Sequence, residues 1–167
     1  VGGDKMVNFP RMSKYRRPQH YLKALERTIK RENLQGRAWV YVRDEPKDLA
    51  ALGRELRQYR HHAPSVLTMV TIPFQREFAQ LVDIFAPNLV DWDRRLGHEI
   101  QHRSWPYASC MGSCGPNRAA VSNPRRMSGP AVSRADFLID RPVARIYRYF
   151  EGLAANAAGG GLYYHAV

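Results

Sequence analysis

Two carboxylates stand side by side at Asp44-Glu45, between the apolar run Ala38-Trp39-Val40-Tyr41-Val42 and Pro46. Paired carboxyls are the groups that general acid–base chemistry uses, one holding a proton while the other holds charge. Successive side chains on a strand point to opposite faces, so the two share a site only where the backbone turns. Pro46 is placed to force such a turn, because the residue before a proline is pushed out of the helical region. Spacing leaves a second reading open: Asp44 or Glu45 caps a helix that begins at Pro46, since acids favour a first turn. Further candidates follow other apolar runs: Asp91-Trp92-Asp93, then Trp105 and Tyr107, and finally Tyr163, Tyr164 and His165. Carboxylates mixed with aromatic rings have the composition of a carbohydrate site, where rings stack on sugar faces and carboxyls move protons.

The sulfur and imidazole groups carry less. Cys110 and Cys114 lie four apart in a glycine-containing stretch, with His98 and His102 at helical spacing upstream. A zinc site needs four ligands, and His-x3-His arises readily by chance in a chain with six His. The expectation is two thiols in a loop and no metal; spacing leaves a local disulfide open. Neither a GxGxxG fingerprint nor a phosphate-binding P-loop follows any apolar run, so no nucleotide cofactor is expected.

The 167 residues hold 26 Lys+Arg against 15 Asp+Glu, a formal net charge of +11 and a pI near 10.1. Such a balance raises the prospect of a phosphate-rich partner. The 21 Arg and 5 Lys are scattered, however, with Arg16-Arg17, Arg94-Arg95 and Arg125-Arg126 as pairs. No block of five or six like charges appears, and no zinc-finger or RNA-binding motif is present, which argues against a nucleic-acid partner. No apolar run approaches the roughly 18 residues that would cross a bilayer, so no membrane span is expected.

The elements that must position these groups are punctuated by proline. From Pro18, the apolar residues Leu22, Leu25 and Ile29 recur at helical spacing up to the turn at Asn33–Gly36. Ala38–Val42 reads as a strand, and Leu49, Leu52, Leu56 and Tyr59 as one face of a helix from Pro46, ended by Pro64. Strands are expected over Ser65–Thr71, Val82–Ala86, Ser104–Ser109 and Leu162–Val167. Helices are expected over Phe74–Leu81, Asp93–His102 and from Asp140, where Val143, Ile146, Tyr147, Phe150 and Leu153 form an apolar stripe. Residues 111–136 read as one long irregular loop. Strands that alternate with helices predict an α/β fold with parallel pairing.

Several of these pieces, in order, resemble glycoside hydrolase family 123 and related uncharacterised glycoside-hydrolase-like catalytic domains. Tyr41-Val42-Arg43-Asp44-Glu45-Pro46 is similar to the tyrosine-x-x-Asp-Glu-Pro strand end of that family. Val82-Asp83-Ile84-Phe85-Ala86-Pro87 is similar to its third matched strand, and Ser104–Cys110 with Gly115-Pro116 to its tryptophan-bearing strand and loop. Phe137–Pro142 with Arg145, then Gly160–Tyr164, is similar to its last helix and last strand. The chain departs from the family at His165 and Pro106, where aromatic residues are usual.

The resemblance implies a TIM-type (β/α)8 barrel, of which residues 1–167 would supply strands four to eight as a single partial domain. A complete barrel takes about 250 residues, so the rest would come from the same longer chain or another copy. Val7–Arg11 would be the tail of the third strand. The resemblance implies removal of a terminal N-acetylhexosamine from an amino-sugar glycan, with the substrate's 2-acetamido group as nucleophile and no cofactor. Glu45 would be the general acid/base and Asp44 the acetamido stabiliser, while Trp92, Asp93, Trp105, Tyr107, Tyr163, Tyr164 and His165 would contact the sugar. A periplasmic or extracellular location goes with that family. The other expectation is a non-catalytic descendant of the barrel that binds carbohydrate or supports an assembly; a basic nucleic-acid-binding protein ranks behind both.

Overall fold

The computed structural model describes residues 6–88, 91–93, 96–109, 154–155 and 162–164. The chain divides into two compact units, one through Thr71 together with Gln75–Ile84, the other comprising Ile72–Phe74 and the residues from Phe85 onward. The fold is α/β. Strands β1 (Val7–Phe9), β2 (Ala38–Arg43), β3 (Leu67–Val70) and β4 (Ile84–Phe85) form an all-parallel sheet in that order. Helices α1 (Pro18–Arg31) and α2 (Leu49–His62) are the crossovers of the first unit. The first strand, which the sequence marks only as a short tail, pairs in register with β2 from Val7↔Ala38 to Phe9↔Val40.

Burial follows the two periodicities. In β2, Ala38, Val40 and Val42 are fully buried, Trp39 and Tyr41 are half-buried, and Arg43 is exposed, the period of two that a pleated strand requires. In α1 the buried residues are Leu22, Leu25, Glu26 and Ile29, and in α2 Leu52, Gly53, Glu55, Leu56 and Tyr59. Each of the larger apolar side chains contributes about 1.5–3 kcal/mol of transfer free energy when fully buried. Pro18 opens α1 at a position whose N–H would have no helical partner in any case. The chain leaves α1 through Asn33 (φ +52°) and Gly36 (φ +73°), two residue types that tolerate the left-handed region.

Polar side chains close the unit where apolar packing does not. Tyr59 is fully buried and its hydroxyl accepts the Met12 N–H at 2.7 Å; burial, with the nearby Glu55 charge, pushes it up to about 12. Asp83 accepts the Thr68 N–H at 2.7 Å and pairs with Arg60 at 2.7 Å, while Arg60 and the Thr68 hydroxyl both donate to the Leu81 carbonyl. Glu26 accepts the N–H (3.0 Å) and hydroxyl (2.8 Å) of Ser65 and pairs with Lys30 at 3.0 Å, tying α1 to the chain entering β3.

The second unit contains α3 (His98–His102), β5 (Tyr107–Ser109) and β6 (Leu162–Tyr164). β5 and β6 pair in parallel, Tyr107↔Leu162 to Ser109↔Tyr164, and Phe85 forms a parallel bridge to Ser104.

Five expectations need correction. The second helix begins at Leu49 rather than Pro46, because Asp48 accepts the Ala51 N–H at 2.8 Å and so fixes the first turn. Among the described residues, Phe74–Leu81 holds a 3-10 turn at Arg76–Phe78 instead of a helix, and the stretch from Asp93 is helical at His98–His102, which Gly97 precedes as N-cap. The Ser65–Thr71 and Val82–Ala86 strands shorten to four and two residues. The 111–136 loop, the helix from Asp140, Cys110, Cys114 and His165 lie outside the described residues.

Glu26 makes a pH prediction. Burial alone would raise its pKa, but the two Ser65 hydrogen bonds and Lys30 outweigh it and hold the carboxyl below its ordinary value. A carboxyl depressed in the folded state adds stability above its unfolded pKa, and loses it as pH falls through the folded one. The melting temperature of the native chain should therefore fall more steeply below about pH 4.5 than that of Glu26→Gln. Parallel profiles in thermal melts from pH 7 to 3 would remove Glu26 from the acid response.

Candidate active site at the carboxyl end of β2

β2 and β3 run parallel, so their carboxyl ends lie together, where α/β folds place their ligands. The register breaks there. Tyr41 pairs with Met69 but Arg43 with Val70, so Val42 is an extra residue in β2. A bulge re-aims the side chains that follow it, and here it delivers Asp44 and Glu45.

The turn after the bulge is held by Thr71, a buried residue just beyond β3. Its hydroxyl oxygen accepts the Glu45 N–H at 2.6 Å and lies 3.1 Å from Asp44 Oδ1 and 3.3 Å from the Arg43 carbonyl. The Tyr41 hydroxyl donates to the same Asp44 Oδ1 at 2.5 Å. One Asp44 oxygen is thus anchored from two sides. The other, Oδ2, enters no hydrogen bond among the described residues, and the side chain is exposed. Glu45 is exposed too, and its φ of +36° lies in the left-handed region. A non-glycine residue held there costs about 1–3 kcal/mol and persists only where its surroundings impose it.

The capping alternative is thereby excluded for α2. Asp48 does that work, four residues beyond Asp44, which leaves Asp44 and Glu45 on the turn itself. Next to them Arg43 pairs with the buried Glu55 of α2 at 2.7 Å, fixing the strand end against the helix. Tyr41 and Thr71 are the residues that sequence reasoning did not assign. Tyr41 sits in the quoted motif; Thr71 carries no local signal, being 27 residues from Asp44.

The remaining sequence candidates belong to the second unit. Trp92 is only 5% exposed, and its indole N–H donates to Gln101 Oε1 at 2.7 Å. Gln101, itself buried, donates to the Asp93 carbonyl at 2.7 Å, so α3 holds the 92–93 segment in place. Trp105 is half-buried, with its N–H donating to the Phe85 carbonyl at 2.8 Å. Tyr107 lies in β5, and Tyr163 and Tyr164 in β6, paired with Ala108 and Ser109. The structure therefore places Asp44 and Glu45 on one exposed turn of the first unit, and Trp92, Asp93, Trp105, Tyr107, Tyr163 and Tyr164 in the other unit.

His98 and His102 stack with ring centroids 6.3 Å apart, but among the described residues no three His, Cys, Asp or Glu side chains are grouped to hold a metal ion. No helix among the described residues is long and apolar enough to cross a membrane. Compared with known proteins, the chain matches no protein-family model and no curated protein.

The strain at Glu45 can be read out. Glu45→Gly should raise stability by about 1 kcal/mol by relieving the left-handed backbone, a rise of roughly 2–4 °C in melting temperature for a chain of this size. Thr71→Val should lower it by about 1 kcal/mol through loss of its hydrogen bonds. A Glu45→Gly variant less stable than the native chain in urea unfolding would contradict the strain.

Proposed function

We propose that the chain is a glycosidase of the substrate-assisted retaining type, removing a terminal N-acetylhexosamine at Asp44-Glu45. In this reading the parallel sheet is part of a (β/α)8 barrel, and a four-stranded all-parallel sheet with helical crossovers is what a barrel segment would contain. One observation carries the reading. Two adjacent carboxylates stand exposed on a strained turn at a strand's carboxyl end, and neither caps the helix that follows. The sequence resemblance supplies the substrate class, and the reading rests on the first unit alone.

The chemistry divides between the two side chains. Glu45 gives its proton to the glycosidic oxygen as the anomeric C–O bond breaks. The substrate's acetamido oxygen forms the new bond to the anomeric carbon, closing an oxazolinium ring that carries the positive charge. Asp44 accepts the acetamido N–H on Oδ2 and stabilises that charge, while Tyr41 and Thr71 hold Oδ1 so that the free oxygen is already oriented. Glu45, now a carboxylate, takes a proton from water, which attacks the anomeric carbon and opens the ring with retention. The substrate's acetamido oxygen thus takes the place of the usual carboxylate nucleophile.

Glu45→Gln should lower release of nitrophenol from an N-acetylhexosaminide by at least about 100-fold, the usual contribution of a positioned acid/base. Asp44→Asn should lower it comparably, and an otherwise identical glycoside without the 2-acetamido group should not be cleaved. Retained turnover in Glu45→Gln would sink the assignment. A native chain that binds the sugar in calorimetry without cleaving it would instead support a non-catalytic descendant.

A further inference from the structure

A few of the basic residues that look dispersed along the sequence share one face of α1. His20, Lys23, Arg27 and Lys30 recur at intervals of three and four, so they share one helix face, and all four are exposed. The row covers about 15 Å at 1.5 Å per residue. Arg16 and Arg17 precede its first turn. The end of α2 adds His62, and a groove of about 410 Å³ opens between the helices, lined by His20, Lys23, Glu26, Arg27 and His62.

Among the described residues that line this groove, cations outnumber the one acid, Glu26, which is taken up by Ser65 and Lys30. Arg16, Arg17, His20, Lys23 and Arg27 form no ion pair among the described residues. Partial burial first, and then the nearby His61 and Lys23, hold His62 below its ordinary pKa. At the head of the row Tyr15 is 40% exposed and stacks on Tyr21, ring centroids 3.9 Å apart and 12° from parallel. The Tyr21 hydroxyl donates to the Pro10 carbonyl at 2.5 Å, which fixes the platform.

We propose that this face binds single-stranded nucleic acid, its phosphodiester backbone along Arg16, Lys23, Arg27 and the α1/α2 groove and a base on Tyr15. A basic track with an exposed aromatic ring at one end is the arrangement that binds single strands without sequence preference. A lipid surface fits less well. An interfacial helix must offer an apolar face, and that of α1, Leu22, Leu25 and Ile29, is buried in the core. The row escapes notice in sequence because His20, Lys23, Arg27 and Lys30 stand three and four residues apart. This site is independent of Asp44 and Glu45.

The test is fluorescence anisotropy of a labelled 20-nucleotide single strand with the full chain, from 50 to 200 mM salt. Binding in the micromolar range is expected, with log K falling linearly on log salt. Lys23→Glu with Arg27→Glu should weaken binding at least tenfold and make the slope shallower by about 1.4, the share of two phosphate contacts. Lys47→Glu with Arg76→Glu changes net charge equally at exposed positions elsewhere and should have little effect. Tyr15→Ala should weaken binding about tenfold with the slope unchanged. Absence of binding at 50 mM salt, equal losses in the two charge-reversed pairs, no loss in Tyr15→Ala, or binding to phosphatidylserine vesicles but not to the oligonucleotide would each overturn the proposal.

Discussion

The Thr71 hydroxyl is the point on which the carboxyl edge of the first unit depends. It satisfies the Glu45 N–H, meets the anchored oxygen of Asp44 and lies beside the Arg43 carbonyl, all at the end of a strand that has just bulged. Without it, a left-handed Glu45 would have no hydrogen bond fixing its backbone at Thr71, and β2 would run on toward Pro46 with its next two side chains on opposite faces. The bulge, the turn and the hydroxyl together convert a strand end into a paired-carboxylate edge.

That edge is rigid because its supports are buried while its carboxylates are not. Val40, Val42, Leu52 and Leu56 are fully buried beneath it, and Arg43 is locked to Glu55. Strain at one exposed residue is affordable on so firm a base, since about 1–3 kcal/mol is spread over a whole packed unit. The same division, core inward and charge outward, leaves α1 with its apolar face buried and a cationic face that, among the described residues, has Glu26 as its one acidic partner.

Much of this was legible in the sequence, for identifiable reasons. The period of two in Ala38–Val42 and the three-and-four spacing of Leu22, Leu25 and Ile29 follow directly from strand and helix geometry. Asp44-Glu45 before Pro46 announced a turn with two acids. The start of α2 was misread because proline is a common first helical residue, whereas Asp48, whose carboxylate reaches the Ala51 N–H, decided the boundary. The polar stretch from Asp93 predicts a longer helix than forms, since Leu96 and Gly97 lie outside it and the helix starts at His98. Thr71 could not be found at all: its importance comes from the register of β3 on β2, which no local pattern encodes.

The central claim is that Asp44 is oriented to receive an acetamido group as it closes on the anomeric carbon. A cyclic thiazoline derived from an N-acetylhexosamine mimics that closed ring, and calorimetric titration compares it with the parent sugar. Binding at least about 100-fold tighter than the sugar, as expected of a transition-state mimic, and lost in Asp44→Ala, is the predicted result. Equal affinities for the two, or tight binding that survives Asp44→Ala, would contradict the claim.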